Sequence, residues 1–275
     1  MNTHDEQQKL WNSSAGNAWV DMQETLDQLF QPFEDLLSNG LSGAVLDVGC
    51  GTGSTTLAAA RRVGPEQRCV GIDISEPMLA VARARSAREG LHASFIAADA
   101  QSYALTPAAF DHVISRFGVM FFEDSVQAFR NLRRAAKSGA ALHFVAWRSP
   151  KENPFMTTAA RAAAPLVPQL AAMANRSADA PGQFAFSDAD RVRALLEQSG
   201  WNDAQLQPLD VTCTLPEQDL VRYFTQLGPL GLALRELDPE ARDGVISTVR
   251  AAFEPFVKGA TVRFVAACWD IRARA

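Results

Sequence analysis

The stretch Val45-Leu46-Asp47-Val48-Gly49-Cys50-Gly51-Thr52-Gly53 constrains this chain more than any other part of it. A short apolar run ends in glycines at every second position, and Ser54 then opens a helical pattern. Such a run, bounded by turn residues, reads as a strand buried on both faces. Glycine is needed where the chain leaves that strand, because a Cβ would block close approach of a ligand to the backbone. The turn also gathers N–H groups and a helix N-terminus in one place. Strand, tight loop and helix therefore predict a binding site beyond the carboxyl end of a parallel strand.

The following residues repeat the unit. Cys69 to Asp73 reads as a second strand, and Pro77 to Glu89 as a helix with proline in its first turn. Ala93 to Ala98 is a third strand ending at Asp99, and Asp111 to Ser115 a fourth. A helix over Asp124 to Ala136 stops near Ser138-Gly139, and Ala140 to Trp147 is a fifth strand. This alternation predicts a mostly parallel sheet with helices on both faces. Upstream, Asn17 to Leu37 reads as one amphipathic helix with Pro32 as a kink point. Downstream, the pattern loosens at Ser149-Pro150; Asp188 to Gly200 reads as a helix capped by Ser187 or Asp188. Ala204 to Leu215 and Thr261 to Ile271 read as strands, with a helical stretch between them. The expected organisation is a helical cap (1–40), a core (41–149), a lid insertion (150–187), more core (188–215), a helical lid insertion (216–258) and a final core strand (259–275).

The net charge of −5 argues against nucleic-acid capture, which needs a basic stripe to neutralise phosphates. Cys50, Cys69, Cys213 and Cys268 form no CxxC pair and no cluster with histidine, so no metal site is expected and the thiols read as small buried hydrophobes. The N-terminal residues lack a signal-peptide layout, and no apolar run is long enough to span a membrane. The expected location is the cytoplasm.

Asp73 lies twenty residues after Gly53, at the end of the second predicted strand, where a carboxylate can accept hydrogen bonds from a ribose diol. A dinucleotide oxidoreductase would show the same two features. Its fingerprint, however, is Gly-x-Gly-x-x-Gly, whereas the glycines here fall at 49, 51 and 53 with Ser54 next. Residues 44–53 resemble the first motif of the class I S-adenosylmethionine-dependent methyltransferases. Gly71-Ile72-Asp73-Ile74-Ser75 with Met78 resembles that family's ribose-binding turn, and Ala97-Ala98-Asp99-Ala100 its adenine turn. Phe110 to Ser115 resembles its fourth strand, which faces the reacting methyl. The resemblance covers about residues 41–147 and is strongest toward small-molecule enzymes of the ubiquinone, menaquinone and natural-product type.

The resemblance implies an α/β, Rossmann-like fold with a seven-stranded, mostly parallel sheet and helical lid insertions. It implies S-adenosylmethionine as cofactor and S-adenosylhomocysteine as product. Gly49, Gly51 and Gly53 would let the backbone pass the methionine part, and Asp47 would order that loop or meet the ammonium through water. Asp73 would bind the ribose, Ile74 and Met78 would line the adenine, and Asp99 and the Ala100 amide would meet its edge. Ser115 and Arg116 would run beside the sulfonium. Asp47 and Met78 read equally well as structural residues.

Trp11, Phe117, Phe121, Trp147, Phe184 and Tyr223 are candidates for an acceptor pocket, though each also suits the core. The expected function is in-line methyl transfer to a small molecule at oxygen, carbon or a small amine. No Asn-Pro-Pro-Tyr follows the fourth strand, where many amino-methylating enzymes carry it. The alternatives are a methyltransferase acting on RNA or protein, a dinucleotide oxidoreductase, and a protein that only binds the cofactor. Alignment alone supplies about 7–11 kcal/mol in such reactions, so a strong general base is not required. Arg116 and His143 are the candidates for a catalytic part, with the mid-strand position of His143 favouring a structural one. Oligomeric state leaves no mark in the sequence.

Overall fold

Val45–Val48 (β1) is buried along its whole length, as a central strand of a parallel sheet must be. The computed structural model describes residues 3–170 and 180–275. Residues 171–179 of the expected first lid insertion lie outside the described residues. The sheet order is β3-β2-β1-β4-β5-β8-β6, with β2 Cys69–Asp73, β3 Ala93–Ala97, β4 Phe110–Arg116, β5 Ala136–Trp147, β6 Asn202–Pro216 and β8 Thr261–Arg274. A two-residue strand β7, Val257–Lys258, pairs with β8 beside the seven-strand path, so the sheet has eight strands among the described residues where seven were expected. Strands β1 to β5 pair in parallel, while β8 runs antiparallel to β5, β6 and β7. Strand order reverses between β1 and β4, and ligands of such sheets bind at that switch point.

Helix α4, Ser54–Val63, buries Ala59 and Ala60 against Val45, Cys69 and Ile114 on one face of the sheet. On the other face, Phe129 of α6, Ser125–Ala135, meets Phe144 of β5 with ring centroids 5.5 Å apart. Asp124 caps α6 by accepting from Gln127 N. Helix α5, Glu76–Arg88, packs on β3. Beyond β5 come α7, Pro154–Ala163, and α8, Ala189–Gln198, whose cap is Asp188, accepting from Asp190 N and Arg191 N. Helices α9 (Leu220–Gln226), α10 (Gly228–Ala233) and α11 (Pro239–Ala252) fill the second helical stretch.

Two boundaries differ from the periodicity. The single helix expected over residues 17–37 is two, α2 Ser14–Asp21 and α3 Gln23–Ser38, preceded by α1 Thr3–Trp11. The chain turns at Met22, which is fully buried and serves as the C-cap of α2 and the N-cap of α3. Packing decides that break: α2 docks on α5, whereas α3 runs against α4, β4 and β6. Pro32 lies inside α3 and does not end it. The second difference is β5, which starts at Ala136 without the expected gap. Its first residue pairs with Phe110, and an irregularity follows before His112 pairs with Ala141.

Candidate active site at the switch point

The glycine loop leaves β1 through three left-handed residues, Gly49 (φ +67), Gly51 (φ +53) and Gly53 (φ +85). Gly49 is there for space as well as for φ. A Cβ on it would stand 2.6 Å from Gly118 Cα, in the loop that leaves β4. Gly51 is different: a Cβ would meet only Met78 Sδ, at 3.6 Å. Its bare backbone therefore faces open space. Ser115 ties the same region together, donating from Oγ to Val48 O at 2.7 Å and accepting from Gly118 N at 3.2 Å.

Asp73 turns toward this loop. Its Oδ2 accepts from Gly51 N at 2.8 Å, and its Oδ1 from Ser75 N at 2.9 Å. Burial pushes its carboxyl above the ordinary range, while the amides of Ser75, Gly51 and Ile74 pull the other way. Asp99 follows the neighbouring strand, where Ala98 N donates to Asp73 O at 2.9 Å. Asp99 Oδ1 accepts from Gln101 N at 2.8 Å, and Asn131 Nδ2 holds Ala100 O at 2.8 Å, fixing this turn on α6. Two carboxylates and the glycine loop thus stand at the carboxyl edge of β1, β2 and β3. Met78 is buried beside Gly51, and Ile74 is half-buried.

Asp47 lies behind the loop at 1% exposure. Its Oδ2 accepts from Thr56 Oγ1 at 2.6 Å, but its Oδ1 is buried with no hydrogen-bond partner among the described residues. Arg116, at the end of β4, has Nη1 in the same condition and lies 5.8 Å over the Phe30 ring. An orphaned acceptor and an orphaned donor at the ends of β1 and β4 fit the ammonium and carboxylate of an amino-acid ligand. Burial pushes the Asp47 carboxyl up to about 7, against the Thr56 hydrogen bond and the Arg116 charge; Asp73 and Glu34 add to the rise. The charged groups facing it are therefore Arg116, Asp73 and Glu34.

The sign of that shift sets a pH dependence. The unfolded chain releases this proton near 3.8 and the folded one only near 7, so the protein loses stability as pH rises across that window. Asp47→Asn keeps an acceptor for Thr56 and removes the buried charge. The variant is expected to be more stable than wild type at pH 8, by at most about 4 kcal/mol, with the difference vanishing toward pH 4. Denaturant titrations at the two pH values check this.

The aromatic candidates fall into separate places. Phe117 (φ +63) and Trp147 stack at 4.6 Å, buried against Phe30 and Phe33 of α3. A left-handed phenylalanine beside the switch point is the kind of backbone strain that collects at functional sites. Trp11 meets Phe121 edge-on at 5.5 Å. Phe184 lies in a segment that returns to the β4–α6 loop, where Gly182 N donates to Met120 O at 3.0 Å. Tyr223 lies in the helical lobe, donating to Met156 Sδ at 3.7 Å. His143 pairs in register with Ile114, short of the carboxyl edge, and its Nε2 is 2.7 Å from Asp270 Oδ1. Burial alone would raise the Asp270 carboxyl, but His143 and Arg272 hold it below the ordinary range. His143 is thus engaged on the β5–β8 pair, away from the glycine loop.

Two contributors were not visible in the motif. Arg85, a charged residue on the same face of α5 as Met78 and Ala82, is buried; it donates to Thr52 O in the glycine loop at 2.9 Å and to Asp27 of α3 at 2.7 Å. Asn12 clasps the turn after Asp73. Their partners lie far away in sequence, so no local spacing signals them.

Residues 45–139 match the family model described as a methyltransferase domain. The demethylmenaquinone methyltransferase of Bacteroides fragilis is 27% identical over 179 residues, covering 62% of this chain and 73% of that enzyme. Among solved structures, the YcgJ protein of Bacillus subtilis has a TM-score of 0.56 at 17% identity, covering 89% of this chain and 97% of the other. Phosphoethanolamine N-methyltransferase 2 of Haemonchus contortus, solved with phosphomonomethylethanolamine and S-adenosylhomocysteine, has a TM-score of 0.50 at 17% identity, covering 99% of this chain and 57% of that one. Residues 45–139 thus form a methyltransferase domain, and the chain around it is similar to S-adenosylmethionine-dependent methyltransferases.

Proposed function

We propose that this enzyme methylates a small molecule at oxygen, carbon or a small amine, by in-line displacement at the switch point of its sheet. The single observation that carries the reading is Asp73, turned onto the Gly51 amide at the mouth of the glycine loop. S-adenosylmethionine is the cofactor and supplies a methyl group already activated on sulfur, leaving S-adenosylhomocysteine. The chain's part is to bind, align and exclude water. Asp73 accepts from the ribose hydroxyls, each carboxylate oxygen having a lone pair beyond its amide contact. Ile74, Met78, Asp99 and the Ala100 amide enclose the adenine. Asp47 takes the ammonium and Arg116 the carboxylate of the methionine end, which satisfies the two orphaned atoms. Gly49, Gly51, Gly53 and Ser115 shape the backbone around it.

The acceptor lies beyond the β4 edge, where Trp11 meets Phe121 and the segment of Phe184 returns to the β4–α6 loop. Several observations support a small, partly apolar acceptor. The net charge is −5, the candidate walls are aromatic, and the Bacteroides relative is named for a demethylated quinone. No helix of the described residues is long and apolar enough to cross a membrane, and no group of His, Cys, Asp and Glu among them is arranged to hold a metal.

Calorimetric titration with S-adenosylhomocysteine tests this reading. Binding is expected, whereas NAD should give no heat; the reverse result would favour a dinucleotide enzyme. An ammonium beside Asp47 favours its ionised form, so binding at pH 6.5 should release a proton. That release should disappear at pH 8 and in Asp47→Asn. Measuring the heat in buffers of different ionisation enthalpy reads the proton directly.

A further inference from the structure

Trp11 and Asn12, at the junction of α1 and α2, hold every residue of the turn that follows Asp73. Asn12 Nδ2 donates to Ile74 O at 2.7 Å, and Asn12 Oδ1 accepts from Glu76 N at 3.0 Å. Between them, Ser75 Oγ donates to Trp11 O at 2.6 Å. The Ser75 amide is the group that donates to Asp73 Oδ1. Gly16 lies against the same spot: a Cβ there would overlap Trp11 O and stand 2.7 Å from Ser75 Oγ. So the first helices are not simply resting on α5. They grip the three residues whose conformation sets where the Asp73 carboxylate points.

The chemistry of the grip is specific to asparagine. A carboxamide carries a donor and an acceptor on one planar group. Here the donor meets a carbonyl and the acceptor meets a first-turn amide of α5, which no intrahelical carbonyl can satisfy. Aspartate has the same shape but would set an oxygen against the Ile74 carbonyl. Alanine would make neither contact.

We infer that Asn12 is a positioning residue for the cofactor: it fixes the 74–76 turn and, through the Ser75 amide, orients the Asp73 carboxylate for the ribose. The inference rests on the reading of Asp73 given above. It also assigns the N-terminal helices a thermodynamic part in binding, exerted through the turn after β2.

A double-mutant cycle tests it, with S-adenosylhomocysteine as the probe in calorimetry and stopped-flow binding on the full chain. Asn12→Asp should weaken binding about tenfold, from the lost donation to Ile74 O and the carboxylate–carbonyl repulsion that replaces it, and mainly by faster dissociation. Asn12→Ala, which adds no charge, should behave in the same way. In the Asp73→Asn background, where no carboxylate remains to be oriented, Asn12→Asp should change affinity less than about twofold. A merely structural role would give the same penalty in both backgrounds, and that result overturns the inference. So does unchanged affinity of Asn12→Asp and Asn12→Ala in the otherwise wild-type chain. Absence of binding by wild type would instead overturn the reading of Asp73 itself.

Discussion

Asp73→Ala should lose at least about 3 kcal/mol of S-adenosylhomocysteine affinity, on the order of 150-fold, while the ligand-free protein still folds. The first half follows from two ribose hydroxyls meeting a charged acceptor, each contact being worth about 1.5–3 kcal/mol. The second half follows from what Asp73 does without ligand. Its carboxylate holds the Gly51 and Ser75 amides, which stabilises the loop. Burial has also raised its pKa, so the ionised form carries a desolvation cost. Removal relieves that cost but leaves both amides without an acceptor, so the ligand-free variant should melt at or below wild type while still folding. A ligand present at 100 times its Kd raises stability by about 2.7 kcal/mol. Wild type should therefore show a clear rise of Tm with S-adenosylhomocysteine, and Asp73→Ala should show none at the same concentration.

Gly49→Ala and Gly51→Ala should separate folding from binding within one loop. At Gly49 the new Cβ would meet backbone, Gly118 Cα at 2.6 Å, and backbone cannot step aside as a side chain can. Left-handed φ adds about 1–2 kcal/mol and overpacking about 1–3 more. A loss of about 2–5 kcal/mol is a large part of the stability of an ordinary domain, so Gly49→Ala should melt well below wild type. At Gly51 the Cβ meets only Met78 Sδ at 3.6 Å, so the folding cost is the φ strain alone. That methyl would occupy the side from which the cofactor approaches. Gly51→Ala should fold and fail to bind, and thermal melts with and without S-adenosylhomocysteine distinguish the two variants.

What could be read in the sequence was local. The β1–loop–α4 unit was legible because three signals agree within ten residues: an apolar run, alternating glycines and a helical start. Asp73 and Asp99 were legible because parallel strands put their last residues at one edge. Asp188 was legible as one of two cap candidates, since a short acceptor just before an apolar period has few other uses. The helix break at Met22 was not, because Val20-Asp21-Met22-Gln23 continues the apolar period without a stop signal. The turn arises from two docking partners that pull α2 and α3 apart.

Arg85 illustrates the opposite failure. Arg83, Arg85 and Arg88 share one helix and look alike in sequence, yet only Arg85 is buried and reaches the glycine loop. Its partners, Thr52 and Asp27, belong to other elements. Asn12 is hidden for the same reason, its partners in the turn after Asp73 being 62 and 64 residues away. Phe117 and Trp147 were read as acceptor-pocket candidates that also suit the core, and the structure adds that α3 stacks over them. That packing depends on the length and direction of a helix which precedes the whole core.

The crystal structure of this chain grown with S-adenosylhomocysteine is the most direct measurement. Density for the nucleoside should lie over Gly51, with both ribose oxygens within hydrogen-bond reach of the two Asp73 oxygens. A ligand bound elsewhere, or bound there with its ribose turned from Asp73, would contradict the account.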